Sequence, residues 1–260
     1  FGFVIYDKTK NMIYAGRDPI GVRSLYIGTT SDNSSYTIAS EMKSIHEISS
    51  NISQFPVGSI WDMDTTNFDL NTFTKYYNMD TIYNDTSLTT SEPPIIMDNI
   101  YTLLDKAVTK RLMSDKPIGC LLSGGFDSSI VAALLSKHFP PKKLKTFSIG
   151  LEGSPDLIYA RKVADFIQSD HHEVVVSEEE MLESIDDDIR QIECYDTTTI
   201  RASTPMFLLS KYIKKHTDVT VVYSGEGSDE ASGSYLYFHN APSPEEFKKE
   251  TIRLMKDLSY

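Results

Sequence analysis

The chain has 260 residues, 40% of them hydrophobic and 24% charged, with 37 acidic against 25 basic side chains and a formal net charge of −12. This composition excludes a wholly disordered chain, and the acidic balance argues against nucleic acid or an anionic membrane as the main partner, since the densest basic stretch is only Pro141 to Lys145. Two cysteines, Cys120 and Cys194, are too few for a disulfide framework or a cysteine zinc site and read as core thiols, and no run approaches the roughly 18 apolar residues of a membrane span, so a soluble cytoplasmic protein is expected.

In chain order, short β-rich runs come first: Phe3 to Tyr6, Met12 to Ala15, Leu25 to Ile27, Tyr36 to Ala39 and Ser59 to Trp61. Polar turn-formers such as Asp7 to Asn11 and Thr30 to Ser34 join them, which predicts an antiparallel region over residues 1–80. The stretch 81–94 is polar, ends in Glu92-Pro93-Pro94 and is read as a linker. Over 95–260 the period changes. Ile96, Ile100, Leu103, Leu104, Ala107, Val108 and Leu112 mark one apolar helix face, followed by a strand at Ile118 to Leu122 and a helix at Ser128 to His138. A strand at Leu144 to Ile149, a helix from Pro155 to Gln168 behind a potential Ser154 cap, and a strand at Glu173 to Val176 continue the alternation. Helices within Glu178 to Tyr195 and at Thr204 to His216, a strand at Val219 to Tyr223 and a helical pattern from Glu245 to Leu258 complete it. Such alternation predicts an α/β fold with a doubly wound parallel sheet.

Two glycine-rich loops follow apolar strands. In the first, Ser123-Gly124-Gly125-Phe126-Asp127-Ser128-Ser129, the glycines let backbone N–H groups approach an anion, the serines add hydroxyls and a helix start adds positive dipole. Together these predict a phosphate cradle. The loop lacks the Gly-Lys-Ser/Thr ending of a Walker A motif, and Asp127 would repel a bare phosphate, so a magnesium ion between carboxylate and phosphates is expected. The bland alternative is a turn in which Asp127 and the serines only cap the helix. The second loop, Ser224-Gly225-Glu226-Gly227-Ser228-Asp229-Glu230, can face the same crevice, with Asp229 completing the magnesium site and Glu226 contacting substrate or shuttling a proton. Its alternative is a solvated acidic turn.

Arg201, placed ahead of the Thr204 helix among small hydroxylated residues, suits a carboxylate or phosphate as well as it suits a surface ion pair. The acidic run Glu178 to Asp188 over the stripe Met181, Leu182, Ile185, Ile189 and Ile192 reads as a solvated helix face. His171-His172 lacks partners at metal-ligand spacing and reads as structural, His239 belongs to a packed aromatic segment, and Cys120 is packing rather than nucleophile.

These motifs resemble those of the glutamine-hydrolysing asparagine synthetases, as do Leu121 to Ser129, Thr199 to Met206 and Ser224 to Glu230 in that order. Upstream, Gly16 to Arg23, Ala39 to Lys43 and Phe55 to Gly58 resemble the second half of the N-terminal-nucleophile glutaminase domain that precedes the synthetase domain in that family. The resemblance implies a partial glutaminase domain over 1–80 and the first part of an ATP pyrophosphatase (PP-loop) domain over 95–260. It also implies β-aspartyl-AMP formation from aspartate and ATP with release of pyrophosphate, and displacement of AMP by ammonia from glutamine. By the same resemblance Leu122 and Ile149 contact adenosine, Ser123, Gly124, Gly125, Asp127, Ser128 and Ser129 the phosphates, and Ser224 and Gly225 the nucleotide. Glu226 serves the adenylating step, Arg201 lies near the substrate or ammonia path, and Asp127 with Asp229 holds Mg2+. A homodimer is implied for the full-length enzyme. The family's nucleophilic cysteine and a lysine at the phosphates have no counterpart in the 260 residues, Phe126 replaces leucine, Ser24 stands where proline is frequent, and Ala231 to Ser234 is poorer in Phe and Gly. With Phe1 inside an apolar run and the first methionine at Met12, a chain cut at both ends and inactive alone is expected. The alternatives are a related synthetase that activates another carboxylate, and a non-catalytic nucleotide-binding remnant.

Overall fold

The structure is a computed structural model that describes residues 1–66, 73–78 and 92–258. It divides into one unit of Phe1–Ser87 with Asp229–Tyr260 and another of Leu88–Ser228. Most of the expected linker, up to position 91, lies outside the described residues, and Pro93 and Pro94 open a helix instead. Proline is tolerated there because the first helical N–H groups have no carbonyl partner to lose.

In the first unit the strands are β1 (Gly2–Asp7), β2 (Met12–Arg17), β3 (Tyr26–Thr29), β4 (Tyr36–Ala39), β5 (Asn51–Gln54), β6 (Ser59–Asp64) and β7 (Thr74–Lys75). They form two antiparallel sheets, ordered β1-β2-β6-β7 and β4-β3-β5. Ala15, Leu25, Ile27, Phe55, Trp61 and Met63 form the core. The Gly16 to Arg23 motif has a structural explanation: buried Arg17 donates to the carbonyls of Arg23 (2.9 Å), Phe55 (3.0 Å) and Gly21 (3.1 Å), knitting that turn to the residue that follows β5. A guanidinium can be buried when its rigid fork finds carbonyls on several sides.

The second unit begins with α1 (Pro93–Lys110), β8 (Ile118–Leu121), α2 (Phe126–Ser136), β9 (Lys145–Leu151), α3 (Pro155–Phe166) and β10 (Asp170–Val176). It continues with α4 (Glu178–Glu183), α5 (Ile185–Ile192), α6 (Thr197–His216) and β11 (Val221–Tyr223); α7 (Ser228–Ser232) then begins at the last residue of this unit, and α8 (Pro244–Asp257) belongs to the first. The sheet is wholly parallel, in the order β10-β9-β8-β11. One face packs Cys120, Leu122, Ala132, Leu135, Ala160 and Ala164, the other Phe147, Leu209, Ile213 and Val219, so helices cover both faces as the doubly wound expectation requires.

Six expectations need correction. Along α1 only Val108 is buried; Ile96, Ile100, Leu103 and Leu104 remain exposed, because α1 meets the core through its last turns alone. Helix α6 starts at Thr197 rather than Thr204: Asp196 caps it by accepting from the Thr199 N–H (2.9 Å), and Pro205 sits inside the helix. Ser154 occupies the N-cap of α3 without a side-chain capping bond. The acidic run is not all solvated. Asp188 is fully buried on α5 and accepts from Ser203 (2.5 Å) and Thr204 (3.0 Å) of α6, whereas Leu182 of the supposed stripe is exposed. The helix breaks at Ser184, which is at once the C-cap of α4 and the N-cap of α5, so one unbroken stripe does not run through both. Cys194 is only half-buried, unlike Cys120, whose thiol burial pushes up to about 12. In the aromatic segment Phe238 is buried against Phe247 while His239 is exposed.

His171 is structural, as expected. Its Nδ1 pairs with Thr146 Oγ1 (2.8 Å) and its Nε2 with Ser148 Oγ (3.1 Å), and Thr146 pairs in turn with Ser169 Oγ (2.8 Å). Burial first, then the nearby Arg161 charge, pulls the ring from its ordinary 6.5 down to about 4. The unfolded ring takes up a proton near pH 6.5 and the folded ring only near pH 4, so acidification across that window favours the unfolded chain. His171's contribution is complete above pH 6.5 and lost by pH 4. His171→Asn is expected to flatten the decline of urea-unfolding stability between those two values, and an unaltered slope would show that the ring is not held neutral.

Candidate functional site

Strands β8 and β11 are hydrogen-bonded neighbours running the same way, with Val221 opposite Ile118 and Tyr223 opposite Cys120. Both glycine-rich loops therefore leave the same edge of the sheet side by side. The connections from β8 through α2 to β9 and from β9 through α3 to β10 pack on one face, whereas α6, which returns the chain to β11, packs on the other. Strand order reverses between β8 and β11, the position where open α/β sheets bind ligands beyond their carboxyl ends.

The first loop is shaped by its own serines. Ser123 Oγ and Ser128 Oγ are 2.9 Å apart, Ser128 Oγ accepts from the Ser123 N–H (3.2 Å), and Ser129 Oγ donates to the Gly125 carbonyl at 2.6 Å. The hydroxyls expected to point at phosphate thus bond within the loop. The groups left for an anion are the first N–H groups of α2, at Phe126, Asp127 and Ser128, which have no carbonyl one turn earlier. Gly125, not Asp127, holds the N-cap position of α2, so the capping alternative fails for Asp127.

Two glycines are required by space as well as by conformation. Gly124 has φ +82°, and a Cβ on it would lie 2.4 Å from the Ala160 nitrogen of α3. At Gly225 a Cβ would lie 2.9 Å from the Ser128 nitrogen and 3.0 Å from the Asp127 carbonyl carbon. The second loop thus rests directly on the first turn of α2. Ser228 extends the contact by donating its hydroxyl to Asp127 Oδ1 at 2.8 Å. Neither reading of the sequence singled out Ser228; its only signal was membership of the second loop.

The other expected residues are placed as follows. Leu122 buries its side chain in the core, so only its main chain can face a ligand, and Ile149 is half-buried against the opposite core. Ser224 and Glu226 are exposed, and the Glu226 N–H donates to Ser224 Oγ (3.2 Å), which tightens the loop. Arg201 is exposed in the second turn of α6, not ahead of the helix. Because α6 leads into β11 and runs opposite to it, its first turns lie toward the sheet edge that carries both loops. Asp229 belongs to the other compact unit, where its Oδ1 accepts from Ser234 Oγ. Among the described residues no group of three or more His, Cys, Asp or Glu side chains is arranged to hold a metal ion, and no helix is long and apolar enough to cross a membrane.

Against this geometry, residues 99–259 match the sequence family described as asparagine synthase. The chain belongs to the asparagine synthase family. Residues 1–47 match a second family, described as glutamine amidotransferase domain, which agrees with the β-rich character of the first unit. Among curated relatives, an asparagine synthetase [glutamine-hydrolyzing] of Triphysaria versicolor is 43% identical over 99% of this chain and 44% of its own length. Proteins of the same description from Cricetulus griseus and Homo sapiens are 40% and 39% identical, each over 99% of this chain and 49% of their own. The chain spans about half the length of these relatives.

Two glycines at positive φ, one crowded and one in the open turn between β9 and α3, predict a separation of effects. Gly124→Ala places a methyl group against the backbone of α3 at a positive φ, and is expected to destabilise the fold by about 3 kcal/mol. Gly153→Ala, at φ +75° with open space around it, is expected to cost only about 1 kcal/mol. Urea unfolding of both variants tests this, and equal losses would refute the close packing of Gly124 on α3.

Proposed function

We propose that these residues form the nucleotide-binding part of an enzyme that makes asparagine from aspartate, ATP and glutamine-derived ammonia. The observation that carries the proposal is the seating of Gly225 on the first turn of α2, which gathers two glycine-rich loops and unpaired helix N–H groups at the strand-order reversal. Family membership and relatives described as asparagine synthetase [glutamine-hydrolyzing] support the choice of substrate.

In the proposed reaction an oxygen of aspartate's β-carboxylate attacks the α-phosphorus of ATP, the bond to the bridging oxygen breaks, and pyrophosphate leaves. The product is a mixed anhydride, β-aspartyl-AMP. Ammonia then adds to its acyl carbon and AMP departs with the anhydride oxygen. Helix α2 contributes N–H donors to the phosphates, and the Ser123 to Ser129 loop admits them closely because Gly124 and Gly125 carry no side chains. Ser224 and Gly225 line the nucleotide from the second loop. Exposed Glu226 is assigned to the adenylating step, and Arg201, a fork of donors, to a carboxylate of the substrate.

The donor set fits Mg2+ better than a softer metal: Asp127 presents carboxylate oxygen, and no cysteine or histidine accompanies it in either loop. Mg2+ is commonly held by one or two carboxylates together with phosphate oxygens and water. Asp127 would hold it, and it would offset charge on the departing pyrophosphate.

Asparagine formation is proposed for these residues within a chain of their relatives' length. The 260 residues alone are expected to bind MgATP without making asparagine. Calorimetry on this chain is the test: Asp127→Asn is expected to weaken MgATP at least about tenfold, equivalent to about 1.4 kcal/mol. Absence of MgATP binding by the unsubstituted chain would sink the nucleotide assignment, and asparagine produced from aspartate, glutamine and ATP would refute the expected inactivity.

A further inference from the structure

We propose that Ser228 is a positioning residue: its hydroxyl holds the Asp127 carboxylate in one orientation, so that the second loop sets the geometry with which the first loop receives magnesium-bound phosphate. The inference rests on the nucleotide reading above and adds to it a residue that neither the motif reading nor the family assignment picks out.

Three observations carry it. Ser228 Oγ donates to Asp127 Oδ1 at 2.8 Å, a contact that joins residues 101 positions apart. The backbone around it leaves little slack: Gly225 sits so close to Asp127 and Ser128 that a single added carbon would overlap the α2 backbone, and Gly227 turns the chain at φ +87° to bring Ser228 back toward α2. Asp127 itself is in the first turn of α2 without capping it, so the helix does not fix its carboxylate.

The chemistry follows from the hydrogen-bonding capacity of a carboxylate. Its two oxygens offer about four acceptor directions, and one hydroxyl uses one of them. Tying Oδ1 to Ser228 restrains rotation about the end of the side chain and leaves the remaining acceptor directions, both of Oδ2 among them, to present to a cation. An aspartate free to rotate would have to be ordered at the moment of binding, at a cost in side-chain entropy that the preformed contact removes. A hydroxyl is suited to this role because it donates without adding charge. A lysine at position 228 would pair with Asp127 and compete with the ion.

Calorimetric titration of the 260-residue chain with ATP, with Mg2+ and again with EDTA, tests the assignment. Ser228→Ala is expected to weaken MgATP roughly fivefold, the size of one ordinary hydrogen bond's net contribution, and to change ATP binding in EDTA less than about twofold. Ser228→Thr, which keeps the hydroxyl, is expected to stay within about twofold of the unsubstituted chain. In an Asp127→Asn background Ser228→Ala is expected to add less than about twofold, because the partner it positions is gone. Equal losses with and without Mg2+ would assign Ser228 to loop architecture alone and overturn the proposal. So would unchanged MgATP affinity in Ser228→Ala, or additive losses in the double variant. If Ser228→Ala does not fold, Ser228→Cys, with a weaker donor of similar size, undergoes the same titrations against the same thresholds. A chain that binds no MgATP at all overturns the nucleotide reading together with this one, whereas a chain that binds MgATP while ignoring position 228 overturns only the positioning role.

Discussion

The arrangement of the candidate site depends on one backbone contact, the approach of Gly225 to the first turn of α2. Parallel pairing of β8 with β11 brings two strand ends within a strand spacing of each other, but pairing alone does not decide where the loops beyond them go. A side chain at position 225 would push the second loop off α2 and take Ser228 away from Asp127. Gly124 plays the matching role on the other side, letting the first loop lie flat against α3. The site is therefore a pair of backbones brought close by missing side chains. Its polar groups, the N–H donors of α2 and the Asp127 carboxylate, inherit their positions from that packing.

The same sheet carries polar groups on its buried surfaces, and the way they are satisfied explains why its two ends differ. Toward β8 and β11 the α2 and α3 face is apolar, with Cys120 and Leu122 against Ala132 and Leu135. Toward β10 that face turns polar, and Thr146, Ser148, Ser169 and His171 satisfy one another. A closed network of hydroxyls around a neutral imidazole meets the requirement that buried polar groups be paired without introducing a charge. Asp188 shows the more demanding version. Its carboxylate is fully buried; two hydroxyls of α6 donate to Oδ2, binding α5 to the helix that carries Arg201, while Oδ1 has no partner among the described residues.

Much of this was legible in the residues themselves. Alternating apolar runs and helical stripes from Ile118 to Tyr223 announced the parallel sheet, and the Gly-Gly and Gly-Glu-Gly loops announced the crevice at its edge. What escaped was decided by partners far away in sequence. Pro205 reads locally as a first-turn marker, yet Asp196 caps α6 earlier and the helix absorbs the proline. Asp188 looks like its neighbours Asp186 and Asp187, which are exposed; its partners Ser203 and Thr204 lie 15 and 16 residues on. The strand β5, Asn-Ile-Ser-Gln, has little intrinsic strand character and forms because β3 offers it an edge. The Ser228 contact, across 101 residues, has no local signature at all. Spacing reveals faces and loops, whereas burial of a polar group depends on what the rest of the chain brings to it.

Under the proposed function, a chain with a net charge of −12 would receive a polyanionic nucleotide and so face an electrostatic problem. At physiological ionic strength charges more than about 8 Å apart are largely screened in water, so most of the acidic surface affects encounter rates more than the bound state. Within that radius the first loop contains no lysine or arginine, and its one charged side chain is Asp127. In the proposed reading the attraction would come from oriented N–H groups and from a cation that accompanies the nucleotide. Both act over short distances and both are sensitive to angle, which a flexible lysine is not. A site of this kind places its demand on backbone precision. That demand accounts for glycines at 124 and 225 where contact is tightest, and for hydroxyls spent on holding loop shape instead of on ligand.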